Sequence, residues 1–305
     1  MKQVLITDGV HPILIKELEA AGYTCDYHPK ISLEEVRQRI GPYEGLIINS
    51  KILVDRTLLD AAPRLQFVGR LGSGMEIVDQ VYAKEKGVHV LRAPEGNRNA
   101  VAEHALGMLL ALANKLRTAD AEVRQMIWQR EQNRGFEIMG KTVGIIGFGH
   151  TGRSFAEKLA GMGVKVLAYD KYKKHFAQDL PYVLETGMES IFMEADIISL
   201  HLPLAKETRH WVDQQFIQKC QKKVVLINTS RGSVIKTTDL VDALRKEQIL
   251  GACLDVFENE KPLTFQEEEQ GLYQQLYEMD QVLLTPHVAG WTVESKKRLA
   301  VVLSA

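Results

Sequence analysis

The chain has 305 residues, 45% of them hydrophobic and 25% charged, which is the composition of a globular protein long enough for two domains at ~150 residues each. A net charge of −1 carries no electrostatic footprint for nucleic acid, and no apolar run approaches the ~18 residues of a membrane span. The N-terminus, MKQVLITDG, runs straight into a strand-like segment without a secretory h-region, and the three cysteines, Cys25, Cys220 and Cys253, are far apart. Together these predict a reducing, cytoplasmic setting with no metal site, since no CxxC or Cys/His ligand spacing occurs.

The first third alternates strand-like and helix-like pieces. QVLIT is followed by PILIKELEAAG, helical in its spacing, with Gly22 as its stop. Ser32-Leu-Glu-Glu35 forms a capping box, GLIINS reads as a buried strand, and Asp55 and Asp79 cap the helices that begin TLLDAAP and VYAKEKG. LQFVGRLG and VHVLRAP complete the strands. Alternation at this tempo predicts a parallel sheet with helices on both faces. Apolar residues at three- and four-residue spacing, from Val101 through Leu109, Leu112 and Leu116, predict one long helix to about Trp128. Its length makes it a candidate subunit interface. A second α/β series starts at Lys141, and the acidic segment TFQEEEQ (264–270) reads as a solvated loop.

The stretch VGIIGFGHTG (143–152) opens that second series with glycines at 147, 149 and 152. A tight turn needs Gly147, close approach of a pyrophosphate needs Gly149, and close helix–strand packing needs Gly152; the following helix points free N–H groups at the anion. An apolar strand before the turn and Asp170 at the end of the next strand, VKVLAYD, raise a weak motif to a dinucleotide site. Asp170 can accept from both ribose hydroxyls and repels a 2′-phosphate, which favours NAD, although Lys171, Lys173 and Lys174 soften that preference.

Three further strand ends carry polar residues: LINTSRG with Arg231, LDVFENE with Asp255 and Glu260, and LLTPHVAG with His287. In the order GFGHTG, NTSRG, DVFENE, TPHVAG, and with HLPLAKET (201–208) and PEGNRNAVAEHALGMLL (94–110), the chain resembles the D-isomer-specific 2-hydroxyacid dehydrogenases over nearly its whole length, in the phosphoglycerate dehydrogenase-like form without a regulatory domain.

The resemblance implies two doubly wound α/β domains, a Rossmann dinucleotide-binding domain (99–287) inserted into a flavodoxin-like substrate domain (1–98 and 288–305), with the active site in the cleft between them. It implies His287 as acid/base, Glu260 as its partner, and Arg231 on the substrate carboxylate and carbonyl. The cofactor contacts it implies are Gly147, Gly149, His150, Thr151, Gly152, Asp170, Thr229, Ser230, Arg231, Asp255, His287 and Gly290, with Asp255 directed to the nicotinamide carboxamide. Ser50, Lys51, Gly72, Ser73 and Gly74 would hold the substrate carboxylate, and Asn97 would lie near the domain junction. Lys51, Arg70, Arg130 and Arg134 are candidates for a substrate phosphate. The expected substrate is a small 2-keto or 2-hydroxy acid, the cofactor NAD, and the assembly a homodimer through the cofactor domain, with no nucleic-acid or membrane partner.

The chain departs from the family pattern where Lys261 separates Glu260 from Pro262, which leaves Glu258 as the competing acid, and where Glu76 and Ile77 replace the usual Asp-Asn pair. A different class on the same scaffold, an NAD(H)-sensing corepressor, would keep the same catalytic set; turnover that depends on added keto acid separates the two. A formate dehydrogenase-like activity would want Gln at position 260.

Overall fold

The computed structural model describes residues 2–305, which divide into two compact units: residues 2–98 with 291–305, and Asn99–Gly290. The second unit therefore interrupts the first in sequence.

The first unit holds a five-stranded parallel sheet of β1 (Lys2–Ile6), β2 (Tyr23–Tyr27), β3 (Gly45–Ile48), β4 (Phe67–Arg70) and β5 (His89–Arg92), in the order β2-β1-β3-β4-β5. That is the flavodoxin-type order. Its helices start where short polar side chains can satisfy free N–H groups. α1 (Pro12–Ala20) ends before Gly22, which takes φ +88°. α2 (Leu33–Arg39) has both arms of the Ser32/Glu35 box, while Asp55 and Asp79 accept the Leu58 and Tyr82 N–H groups at the starts of α3 (Arg56–Asp60) and α4 (Gln80–Glu85). One core, with Leu5, Val36, Leu46 and Val68, lies apart from another in which Val4, Leu14 and Ile47 pack with Leu299, Ala300 and Leu303 of the last helix, α12 (Val293–Ser304).

The second unit holds seven parallel strands: β6 (Thr142–Ile146), β7 (Lys165–Tyr169), β8 (Val183–Glu185), β9 (Ile197–Leu200), β10 (Val225–Asn228), β11 (Gly251–Leu254) and β12 (Val282–Leu284). Their order is β12-β11-β10-β9-β6-β7-β8, so the chain reverses direction across the sheet between β6 and β9. Both faces are covered: Ile145, Phe155 and Ile227 belong to one core, and Ile146, Ile198 and Leu226 to the other. Burial on both faces explains why these strands read as continuous apolar runs instead of alternating ones.

Two sequence expectations fail. The long helix is two helices, α5 (Pro94–Ala113) and α6 (Leu116–Arg124), broken at Lys115 with φ +50°. The Phe136 N–H takes the Ala113 carbonyl at 2.9 Å, and the backbone of Gly135 comes so close that a Cβ there would lie 2.2 Å from that oxygen. The helix is ended by a neighbour far along the chain. The acidic segment is also not a loop throughout: Pro262–Thr264 is a 3-10 turn, and Glu267, Glu268 and Glu269 form the first turn of α11 (Glu267–Tyr277). Three carboxylates at a helix N-terminus complement its positive dipole end. No helix among the described residues is long and apolar enough to cross a membrane.

Candidate active site

The glycine turn follows β6 directly. Gly147 has φ +91°, and a Cβ there would meet the His201 carbonyl oxygen at 2.4 Å; at Gly152 it would lie 2.0 Å from the Gly147 carbonyl oxygen. These two glycines are required by the fold itself. Gly149 differs: its φ and ψ are −81° and −157°, and a Cβ there would meet nothing within 4 Å. The open space at Gly149 lies at the start of α7 (His150–Leu159), which has no side-chain cap. An uncapped helix start at an open, side-chain-free turn fits a pyrophosphate. His150 and Thr151 form the first positions of that helix.

Asp170, just past β7, accepts the Phe148 N–H at 2.8 Å on one oxygen and the Tyr172 and Lys173 N–H groups at 3.0 Å on the other. It thus ties the phosphate turn to the neighbouring strand end. Two of the following lysines are engaged: Lys171 Nζ lies 2.5 Å from Glu207 Oε2, and Lys173 Nζ donates to the Phe148 carbonyl at 3.1 Å.

Beyond β10 the chain is folded by Asn228, a buried residue whose Oδ1 accepts from the Ser230 N–H (3.0 Å) and hydroxyl (2.8 Å) and whose Nδ2 donates to the Arg231 carbonyl (2.9 Å). This turn presents Arg231, half-buried, with one guanidinium nitrogen on the Ser230 carbonyl at 2.6 Å. Thr229 Oγ1 is buried and has no hydrogen-bond partner among the described residues.

His287 follows β12 in the left-handed region, φ +55°, which an ordinary residue occupies at a cost of roughly 1–2 kcal/mol. The Asp255 residue, fully buried beyond β11, holds it there. Its carbonyl accepts the His287 N–H at 2.7 Å, Oδ1 accepts the Thr285 hydroxyl (2.6 Å) and the Val288 N–H (2.9 Å), and Oδ2 accepts the Ala289 N–H (2.9 Å). The resemblance directs Asp255 to the nicotinamide; in the structure both its oxygens are turned onto the loop that carries His287 and Gly290.

His287 Nδ1 lies 2.8 Å from Glu260 Oε2, and Glu260 Oε1 accepts the Phe257 N–H at 3.3 Å. Burial pushes the Glu260 carboxyl up, but the hydrogen bond and charge of His287, the Phe257 N–H and the Arg231 guanidinium outweigh it and hold the group below the ordinary glutamate range. The competing acid, Glu258, is spent elsewhere, on His210 Nε2 and on the Thr237 N–H at 2.7 Å. A carboxylate on Nδ1 fixes the ring and leaves Nε2 as its working nitrogen. Sequence reasoning missed Asn228, Thr285 and His104, the last with its Nε2 2.9 Å from Thr285 Oγ1. The N-x-S spacing of Asn228 and Ser230 is a turn signal that could have found the first.

In the first unit, the chain past β3 and β4 carries the other expected residues. Lys51 Nζ donates to the Pro29 carbonyl at 2.8 Å, Ser73 Oγ to Asn97 Oδ1 at 3.2 Å, and Arg70 Nε to the Asn49 carbonyl at 3.1 Å, its guanidinium lying against Gly72. Ser50 and Gly74 sit in the same two loops. Of the second-unit arginines, Arg134 is paired with Glu131 at 2.7 Å and Arg130 is exposed.

Residues 106–289 match the family model of the D-isomer specific 2-hydroxyacid dehydrogenase NAD binding domain. The chain belongs to this family. Its cofactor is therefore NAD, carried by the second unit. As a D-2-hydroxyacid dehydrogenase family member it is 32% identical to a D-3-phosphoglycerate dehydrogenase of Methanocaldococcus jannaschii over 100% of this chain and 56% of that protein. It is 33% identical to a hydroxypyruvate reductase of Thermotoga maritima over 88% of this chain and 85% of the relative. Among solved structures, the D-lactate dehydrogenase from Aquifex aeolicus complexed with NAD and lactic acid superposes with a TM-score of 0.85 at 27% identity, covering 98% of this chain and 92% of that one. The chain spans little more than half the length of the phosphoglycerate dehydrogenases it matches.

Proposed function

We propose that the chain is an NAD-dependent oxidoreductase that interconverts a small 2-keto acid and a D-2-hydroxy acid. The observation that carries this reading is the His287–Glu260 pair at 2.8 Å, held on the same sheet as the glycine turn and within the electrostatic reach of Arg231. NADH, when bound, would supply the hydride for the carbonyl carbon. The carbonyl oxygen then gains negative charge, which the Arg231 guanidinium stabilises while also binding the carboxylate. His287 Nε2 donates the proton to that oxygen and removes it in the reverse direction, and Glu260 stabilises the imidazolium form that makes the donation possible. Ser230, Thr229 and Gly290 border the nicotinamide end in this reading, and Asp170 holds the adenosine ribose.

The first unit is the substrate domain in this reading, with Ser50, Lys51, Gly72, Ser73 and Gly74 in its loops as candidate substrate residues. Lys51 and Arg70 in the same loops lean the substrate class slightly towards a phosphorylated hydroxy acid such as 3-phosphoglycerate, the class named for several relatives. The three free thiols suit a cytoplasmic protein. The exposed apolar residues Leu116, Val123, Met126 and Trp128, on and just after α6, support a homodimer joined through the cofactor unit.

NADH oxidation by the purified chain is to be followed with 3-phosphohydroxypyruvate, hydroxypyruvate, glyoxylate, pyruvate and 2-oxoglutarate. Turnover on one of these that disappears in His287→Ala supports the dehydrogenase reading and names the substrate class. Tight NADH binding without turnover on any of them turns the reading towards an NAD(H) sensor.

A further inference from the structure

Behind His287 runs a chain of hydrogen bonds that begins on α5, in the same unit. His104 is a half-buried imidazole whose Nε2 lies 2.9 Å from Thr285 Oγ1 and 3.6 Å from Asp255 Oδ1. Thr285 Oγ1 is 2.6 Å from Asp255 Oδ1 and 3.7 Å from Met108 Sδ. A hydroxyl has a single proton. At 2.6 Å that proton goes to the carboxylate, so the Thr285 oxygen can meet His104 only as an acceptor, and His104 Nε2 carries the hydrogen. The imidazole thereby sets the hydroxyl rotor: with Nε2–H on its lone pair, Thr285 turns its O–H to Asp255 and away from the Met108 sulfur.

Asp255 is fully buried, where loss of a hydrogen-bond donor to a carboxylate is costly. The same carboxylate receives the Val288 N–H on Oδ1 and the Ala289 N–H on Oδ2, and the backbone carbonyl of Asp255 holds the His287 N–H. His287 sits at φ +55°, a backbone state that the surroundings must impose. Relaxation of that one residue would swing the ring off Glu260. The loop that carries the acid/base is thus tied to Asp255, whose carboxylate is held by the Val288 and Ala289 N–H groups together with the Thr285 hydroxyl, and that hydroxyl meets a residue of a helix remote in sequence.

We propose that His104 is a positioning residue for His287, acting through the Thr285 hydroxyl and the buried Asp255 carboxylate. This rests on the dehydrogenase reading above for its consequence on rate, and on geometry alone for its consequence on the His287 ring. His104 touches neither cofactor nor reacting atoms in this role; it supplies one N–H at the far end of the relay. A glutamine side chain can present an amide N–H at a similar reach, whereas leucine fills the space and presents none.

The test uses the full chain with His104→Leu, His104→Gln, Thr285→Val and the His104→Leu/Thr285→Val double variant. Two readouts are taken: keto-acid reduction with NADH, and the Cε1–H NMR resonance of His287 in protein labelled at histidine, assigned by its absence in His287→Ala. His104→Leu is expected to lower kcat about tenfold, a part of the ~10²-fold that a ~1 Å misplacement can cost, with KM and the NADH Kd within about twofold of the parent. The His287 resonance should shift or broaden. His104→Gln should restore kcat to within about threefold and return the resonance, and the double variant should be no slower than Thr285→Val, because the two residues act in series. The proposal is overturned if the His287 resonance in His104→Leu matches the parent, or if the losses add in the double variant and glutamine rescues nothing. A parent chain that turns over no keto acid, but whose His287 resonance moves in His104→Leu and returns in His104→Gln, would sink the dehydrogenase reading and leave the positioning role standing.

Discussion

The glycine turn separates a requirement of folding from a requirement of binding, and single alanine substitutions can tell the two apart. In Gly152→Ala the new Cβ would stand 2.0 Å from the Gly147 carbonyl oxygen, where ordinary contact begins at 3.4 Å, and the obstacle is backbone that cannot rotate away. Overpacking costs about 1–3 kcal/mol, and a fixed backbone atom places this case near 3 kcal/mol. At roughly 2–4 °C per kcal/mol for a unit of this size, the melting temperature should fall by roughly 6–12 °C. In Gly149→Ala the new methyl meets nothing within 4 Å, and φ −81° with ψ −157° is open to alanine. That variant should melt at or slightly above the parent, since replacing glycine at a permitted conformation removes ~0.4–1 kcal/mol of unfolded-state entropy. The methyl projects into the space where a pyrophosphate must approach, so NADH affinity should drop at least about tenfold, or ~1.4 kcal/mol. Thermal melts with and without NADH, and fluorescence titration of NADH, read both effects. A Gly149→Ala protein that binds NADH as the parent does would show that the dinucleotide does not cross this turn. A Gly152→Ala protein that melts with the parent would refute the close contact of α7 with β6.

Three other substitutions probe the reacting end and cofactor choice. His287→Ala should lower kcat for keto-acid reduction by ~10²–10⁴-fold while NADH still binds, as fluorescence titration measures; a small kcat loss would remove His287 from the proton-transfer step. Because the Glu260 carboxyl lies below the ordinary glutamate range, it is ionised throughout the neutral region and its contribution disappears only as pH falls through that depressed value. Glu260→Gln removes the titrating carboxylate from His287, so kcat should fall and the loss of rate at acid pH that follows Glu260 should disappear; a pH–rate profile that superposes on the parent's would contradict the pairing. Asp170→Asn should narrow the NADH-over-NADPH affinity ratio by at least about tenfold, since like-charge juxtaposition with a 2′-phosphate costs several kcal/mol; parallel titrations with the two cofactors measure it.

Much of the fold was legible because local chemistry and tertiary structure agree. Ser32, Asp55 and Asp79 cap the helices they precede, and the apolar runs of the second unit are strands buried on both faces. The failures come from contacts between residues distant in sequence. Nothing around Ala113 announces that the Phe136 N–H will take its carbonyl and end α5, for the apolar spacing runs on through Leu116. The run of Glu267 to Glu269 reads as solvated from its acidity alone, but acidity also marks a helix start, and Tyr273 and Leu276 are buried behind it. In the site, the residues that touch the chemistry sat in recognisable strings. His104 and Thr285 also lie within quoted strings, PEGNRNAVAEHALGMLL and LLTPHVAG, but the hydrogen bond that joins them is made between residues 181 positions apart, which neither string records.

The strand order explains why cofactor selector and acid/base can serve one ligand although they are far apart in the chain. Asp170 ends β7, and the strands β10, β11 and β12 are followed by Arg231, by Asp255 with Glu260, and by His287. In the sheet, β6 and β9 lie between these two groups, and it is between β6 and β9 that the winding reverses and a crevice opens at the carboxyl ends. From β7 to β11 is four strand spacings, about 19 Å at ~4.8 Å each. A ligand laid across that crevice, with its pyrophosphate over the turn at Gly149, must put one end at Asp170 and the other among Arg231, Glu260 and His287. The identity of the two ends is set by chemistry: a carboxylate that accepts from hydroxyls on one side, and a cation with a hydrogen-bonded imidazole on the other. Moving either set by one strand would break the correspondence, so the dehydrogenase reading draws on the sheet order as much as on the side chains themselves.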